Sequence, residues 1–90
     1  MASDRHKIKM ALRDLARNND ELDIKDSVIK LIARDIEKVM DSTNTDRQRH
    51  GLQEPLSADQ VAQAIETSEK RSRLVRDYGI NIDRYVKELE

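Results

Sequence analysis

Residues 56–79, LSADQVAQAIETSEKRSRLVRDYG, contain the best-defined helix start and helix end in the chain. Ser57 and Gln60 have the S-x-x-Q spacing of a capping box, in which each side chain bonds the backbone N–H of the other residue. Gly79 is placed to adopt the left-handed conformation that commonly ends a helix. The stretch therefore predicts one long helix over residues 57–78.

The apolar face of this predicted helix includes two serines. Helical spacing places Ser68 and Ser72 between Ile65 and Val75 on one face. Small side chains there would let another helix approach closely, and a buried serine hydroxyl can bond the carbonyl four residues before it. We therefore expect this face to bind a partner or a second copy of the chain. The residues concerned are Ser68, Ser72, Leu74, Val75 and Tyr78, with Tyr85 of the last helix.

The same stretch has an alternative interpretation as a helix-turn-helix, whose second helix lies in the major groove of DNA. A glycine and then an apolar residue would be expected after the first helix. Glu66 and Thr67 occupy those places here, and Ser72 stands where the second helix needs an apolar residue. Because the apolar stripe runs from Val61 to Val75 without a turn signal, the sequence favours a single helix.

Residues 24–41 form a second predicted helix with a wide apolar arc, and Asp23 is its candidate N-cap. At 100° per residue its apolar side chains cover about 200° of the circumference, which is too wide for one neighbour. We therefore expect this helix to be the central element. Asp35 lies within the arc, either at a rim that reaches water or as a buried carboxylate paired with an arginine of another helix or subunit.

The rest of the chain predicts two further helices and a polar loop. A narrow apolar stripe indicates a helix over residues 4–18, and a short helix is expected over 82–89 behind Asn81 as N-cap. Residues 42–56 are polar and turn-rich, which predicts a loop. A histone-like arrangement is disfavoured because its central helix would have to continue through residues 42–49.

The predicted fold is therefore all-α, a single domain of three longer helices plus a short C-terminal helix, packed as a dimer. Ninety residues suit one small domain, and the chain lacks both Phe and Trp, so its core material is thin. The small-residue face and the two-sided central helix both favour a homodimer, since one chain offers few large groups to cover them.

The composition also limits the chemistry. The chain has no cysteine, which excludes disulfides, thiolate metal ligands and a thiol nucleophile. Its two glycines cannot form a glycine-rich phosphate loop. Neither His6 nor His50 has a second histidine, or a carboxylate three or four residues further on, on an apolar helix face. We expect no enzyme activity, no cofactor, no metal and no small-molecule substrate. The sequence shows no membrane span and no apolar leader, so an intracellular, cytoplasmic location is expected.

The charges nearly balance, with a net charge of −1, but they occur in blocks. Residues 1–19 sum to +3, residues 20–46 to −4 and residues 70–76 to +4. Cations near a helix C-terminus complement its dipole, whereas those in the N-terminal half of the first helix oppose it and indicate an acidic contact. The candidates for binding phosphate or an acidic partner are Arg5, Lys9, Arg13, Arg17, Lys70, Arg71, Arg73 and Arg76.

The sequence favours a small non-enzymatic protein-interaction module. It would act as a regulator, inhibitor or accessory subunit by docking helical surfaces on itself or on a larger protein partner. The alternative is a DNA-associated regulator or accessory factor that binds the phosphate backbone through its basic helix faces. Salt separates the two hypotheses, because phosphate binding weakens steeply with salt and an apolar contact does not.

Overall fold

The computed structural model describes residues 4–17, 26–51 and 54–89, and all regular structure within these ranges is helical. Five α-helices follow one another: α1 (Asp4–Arg17), α2 (Asp26–Arg49), α3 (Ala58–Glu66), α4 (Ser68–Tyr78) and α5 (Asp83–Val86), with a 3-10 turn over Lys87–Leu89. The prediction of an all-α fold is confirmed. The helix count differs from the prediction, since two helices replace one. The predicted N-cap Asp23 lies outside the described residues.

The central helix is α1, which packs on both α2 and α3 and also contacts the C-terminal 3-10 turn. Its side chains Ile8 and Leu12 are completely buried. By contrast, α2 buries one narrow stripe, made of Ile29, Ala33, Ile36 and Met40. The prediction that the second helix is central is therefore wrong, because the described residues provide a neighbour for only one side of its apolar arc.

The second half of α2 is held by polar contacts instead of an apolar stripe. The Asn44 amide donates from Nδ2 to the Leu56 carbonyl at 2.9 Å and accepts the Leu56 N–H at 2.7 Å. Arg47 donates from Nε to the Glu54 carbonyl at 3.3 Å, and its guanidinium lies 4.5 Å from the centre of the Tyr78 ring. These contacts explain why the helix continues where hydrophobic periodicity predicts a loop.

The predicted loop over residues 42–56 is therefore wrong for residues 42–49. The helix ends at a turn that contains Gly51, whose φ of 75° is left-handed. Arg47 and Arg49 in the last turn, followed by a glycine, are helix-end signals that the sequence does contain. The objection to a histone-like arrangement falls away, but the long helix is not the central one here.

The predicted helix over residues 57–78 is two helices, separated at Thr67, whose backbone is extended at φ −132° and ψ 123°. The capping box of Ser57 and Gln60 is confirmed, and so is the left-handed Gly79, which donates to the Val75 carbonyl at 3.0 Å. Both signals are local in sequence, which is why they could be predicted while the break between them was not.

The break changes which side of α4 faces the core. Arg71 and Leu74 are buried, whereas Ser68 and Ser72 are exposed. The expectation that the two serines lie in the middle of a buried face is therefore wrong, because that face is defined only if the helix continues through Thr67. The predicted C-terminal helix is present as α5 and the 3-10 turn, but it begins at Asp83, so its N-cap is Ile82 and not Asn81. The Asn81 side chain still contributes, because its Oδ1 accepts a hydrogen bond from the Asp83 N–H at 3.1 Å.

Replacing Asn44 with alanine should destabilise the fold. The Leu56 backbone is buried and would lose both side-chain partners, at a cost of about 1–3 kcal/mol, although alanine is the better helix former. Urea unfolding followed by circular dichroism measures the change. The control is Gln48→Ala, at an exposed position one turn further along α2. Equal stabilities of the two variants would contradict a supporting role for Asn44.

Candidate interaction surfaces

Arg5, Lys9, Arg13 and Arg17 recur at every fourth position of α1 and form its basic stripe, and the first three of them face carboxylates of α2. Arg5 Nη2 lies 2.8 Å from Glu37 Oε1, and Lys9 Nζ lies 3.7 Å from Asp26 Oδ2. Arg13 forms an ion pair with Asp26 and donates to it from Nε at 3.0 Å. The acidic contact that the sequence indicates for this stripe is therefore present within the chain, and it joins the first two helices.

Asp26 is shared by cations from both helices. Besides Arg13 and Lys9 of α1, Lys30 of α2 lies one turn away, with its Nζ 3.6 Å from Asp26 Oδ2. The hydrogen bonds from Arg13 lower the pKa of the Asp26 carboxyl, and the charges of the three cations act in the same direction. One carboxylate thus pairs with three cations, so positive charge is in excess around it.

Arg71 is the one buried charged side chain of the described residues, with 7% of its surface exposed. Its Nη1 lies 3.0 Å from Asp83 Oδ1, which links α4 to the start of α5. The guanidinium is therefore turned into the fold, and Arg71 is not placed to bind phosphate at the surface. Its role is structural, because the buried guanidinium joins α4 to α5 through the more exposed carboxylate of Asp83.

The remaining predicted cations lie at the surface and have acceptors nearby. Lys70 donates to Gln63 Oε1 at 3.2 Å across the α3–α4 junction. The arginines pair within their own helices. The distances are 3.8 Å from Arg17 Nη1 to Asp14 Oδ1, 3.1 Å from Arg73 Nη2 to Glu69 Oε1 and 3.2 Å from Arg76 Nε to Asp77 Oδ1. All eight basic residues singled out in the sequence thus have an acceptor in the chain.

The residues predicted for self-association are separated by the structure. Ser68, Ser72 and Val75 lie on the exposed side of α4, and 47% of the Val75 surface is accessible. Leu74 is buried in the core, and Tyr78 and Tyr85 are partly buried against it. Three of the six residues therefore remain on one surface, and the other three contribute mainly to the fold.

A further surface lies on α2, on the side opposite its buried stripe. We call this the outer face and define it by Val28, Leu31 and Asp35, all exposed. Accessible fractions are 44% for Val28 and 58% for Leu31, large values for apolar side chains. Asp35 reaches water, as one of the two interpretations predicted. Sequence periodicity found these apolar residues but assigned them to the core.

A groove between α1 and α2 borders the outer face. The side chains that line it are Arg5, His6, Lys9, Lys30, Leu31 and Arg34. Among the described residues that line it, none is a carboxylate and Leu31 is the one apolar member. Lys30 and Arg34 were not singled out from the sequence because they lie in a segment with net negative charge, and only the packing of α1 on α2 brings them to the basic stripe.

Within residues 4–17, 26–51 and 54–89, no group of three or more His, Asp or Glu side chains is arranged to hold a metal ion. The helices of these ranges also include none with the length and apolar character needed to cross a bilayer. Comparison of the chain with protein-family models, with curated proteins and with solved structures finds no match. The geometry of the surfaces is therefore the available indication of function.

Replacing Asp26 with asparagine should weaken the packing of α1 on α2 in a pH-dependent manner. Because the folded-state pKa of Asp26 is lowered, its ionised form stabilises the fold above about pH 4, and that contribution is lost as the pH falls through the folded pKa. The Asp26→Asn variant should therefore unfold at a lower midpoint urea concentration than the natural chain near pH 7. The difference between the two midpoints should shrink near pH 3.

The matched control is Asp35→Asn on the same helix, at an exposed carboxylate without an ion pair among the described residues. Its stability difference from the natural chain should change little between the two pH values. A difference for Asp26→Asn that stays constant with pH would show that its ion pairs do not contribute to stability.

Proposed function

We propose that this protein is a small non-enzymatic helical interaction module, acting as a regulator, inhibitor or accessory subunit by docking on a protein surface. The observation that supports this function is the outer face of α2. There Val28 and Leu31 are exposed within one turn of each other, on the side of the helix away from the core. The docked protein is a larger partner or a second copy of the chain.

Single exposed apolar residues are common on protein surfaces. The helical spacing of the apolar residues on α2 is therefore stronger evidence for docking than the exposure of any one of them. Val28, Ile32, Asp35 and Val39 follow the i, i+4, i+7, i+11 spacing along α2, and Ile32 and Val39 are partly buried at the edge of the core. That spacing is how a helix presents a face to a second helix. Because 58% of Leu31 is exposed, covering that part would stabilise a complex by about 1–2 kcal/mol.

Every basic residue predicted to bind phosphate already has an acceptor within the chain. Phosphate would compete with those acceptors, whereas a protein that covers Leu31 displaces water. Exposed ion pairs are weak, about 0–1 kcal/mol each, so this comparison ranks the two functions without excluding the second.

Placing a photo-reactive amino acid at position 31 tests the proposed function in cells that express the protein. We expect a crosslinked product from position 31 and none from the same probe at Gln48, which is exposed on another side of α2. A product of twice the chain mass identifies a second copy, and a heavier product identifies a partner. Equal yields from the two positions, or no product from either, would count against docking through the outer face.

The second candidate function, binding of DNA, gains support from the break at Thr67. The break separates α3 from α4, as a helix-turn-helix requires, and leaves Arg73 and Arg76 exposed on α4. The two helices adjoin with one residue between them, and α4 presents Ser72 and Val75 beside these arginines. This arrangement makes α4, and not the stripe of α1, the helix to test for phosphate contacts.

The test is fluorescence anisotropy of a labelled mixed-sequence duplex at two salt concentrations. If α4 contacts phosphates, Arg73→Glu with Arg76→Glu should abolish binding at low salt, and single reversals should each reduce the salt slope by about 1. A control with the same net charge change is Arg17→Glu with Lys38→Glu. Absence of binding at low salt removes this candidate. Reversing Lys9 and Arg13 is not informative, since both hold Asp26.

A further inference from the structure

We infer that the outer face of α2 and the adjoining groove bind an acidic amphipathic helix, in which carboxylates flank the apolar side chains that cover Leu31. This inference rests on the proposed function and adds the chemistry of the partner. It is carried by the lining of the groove between α1 and α2, where basic side chains surround one exposed leucine.

Among the described residues, the positive charge of the groove is only partly neutralised. Three carboxylates, Asp26, Glu37 and Asp35 of the outer face, lie among five cations, which are Arg5, Lys9, Arg13, Lys30 and Arg34. Among the described residues, no acceptor lies within hydrogen-bonding or ion-pair distance of Arg34. A net positive field therefore surrounds Leu31, and it favours a ligand that brings negative charge.

The lysines of the groove can also donate to an incoming group. Lys9 and Lys30 approach Asp26 at 3.7 and 3.6 Å, which is beyond ordinary hydrogen-bond distance. Each ammonium has three N–H donors. A carboxylate of a bound helix could therefore bond these ammonium groups without first removing Asp26 from Arg13, which holds it most closely.

A second copy of the chain fits this surface poorly. A two-fold dimer presents the same patch from both subunits, so an interface centred on Leu31 would bring the cations of one groove against those of the other, and Asp35 is the one carboxylate of the outer face that could offset them. Such juxtaposition of like charges disfavours association. The charge of the patch therefore favours a different partner chain over self-association at this face. This conclusion does not depend on whether the exposed side of α4 self-associates.

A nucleic acid also fits less well than an acidic helix. A phosphate backbone would satisfy the cations, but it offers no apolar surface to cover Leu31 and Val28. A helix with apolar residues at the i, i+3, i+4 and i+7 positions covers such a face, and glutamates beside them reach the rim. The combination of an exposed apolar pair with a basic border is what distinguishes the two ligands.

The probes are two labelled amphipathic peptides with the same leucine positions, one with glutamate and the other with lysine at the flanking positions. Fluorescence anisotropy with the full chain measures their Kd values. We expect the acidic peptide to bind and its affinity to fall with added salt. Leu31→Glu should weaken binding by about tenfold or more, and Arg34→Glu should weaken it and reduce the salt dependence. Gln48→Glu, with the same added carboxylate, should leave the Kd unchanged.

Several results would overturn the inference, and each of them also shows whether the proposed function stands. Equal affinity for both peptides means that the face binds without charge selection, and the proposed function stands. Failure of both peptides to bind, together with a crosslink from position 31, also removes the acidic partner but leaves docking intact. Loss of both signals removes both proposals. Full displacement of the acidic peptide by a DNA duplex, with Arg34 dependence, would assign the groove to phosphate.

Discussion

The burial of Ile8 and Leu12 on α1 is the constraint on which the rest of the structure depends. Both α2 and α3 pack on this helix, so the relative positions of the two are set through it. At 1.5 Å per residue, the 14 residues of α1 span about 21 Å and the 24 residues of α2 about 36 Å. One short helix cannot cover the length or both sides of the long one, which leaves the outer face exposed.

Polar side chains take over where this core ends. Asn44 bonds the backbone of Leu56, Arg47 stacks over Tyr78, and Arg71 pairs with Asp83. Each contact joins two elements that share little apolar surface, in a chain without Phe or Trp. Hydrogen bonds and ion pairs of this kind stabilise only if their geometry is satisfied, so they fix where α2, α4 and α5 lie as well as holding them.

Features that depend on near neighbours in sequence could be predicted, and features that depend on distant ones could not. The capping box at Ser57 and the left-handed Gly79 are local, and both are present. The continuation of α2 depends on Leu56 and Tyr78, which lie beyond the chain segment that a periodicity argument compares. The break at Thr67 is a separate case, because it is local in sequence but no glycine or proline marks it. Its change of helical phase moves every residue after it to another side.

The candidate interaction surface likewise has features that the sequence predicts and features that depend on packing. The basic stripe of α1 was recognisable at every fourth position, but its acceptors Asp26 and Glu37 belong to another helix. Likewise, the apolar character of Val28 and Leu31 was evident, while their exposure follows from the absence of a second neighbour for α2 among the described residues. Sequence pattern gives the character of a surface, and packing decides whether it faces the core or solvent.

Asp35 restricts what can cover the outer face. It lies in the stripe formed by Val28, Ile32 and Val39, and it is exposed without an ion-pair partner among the described residues. An apolar partner that covered it would bury an uncompensated carboxylate, which is strongly unfavourable. A partner that fits must therefore place a cation or hydrogen-bond donor at Asp35 and carboxylates beside Arg34 and Lys30, which lie one and five residues before it on α2. This alternation of charge favours one register of the bound helix, so Asp35 contributes specificity where another apolar residue would add only affinity.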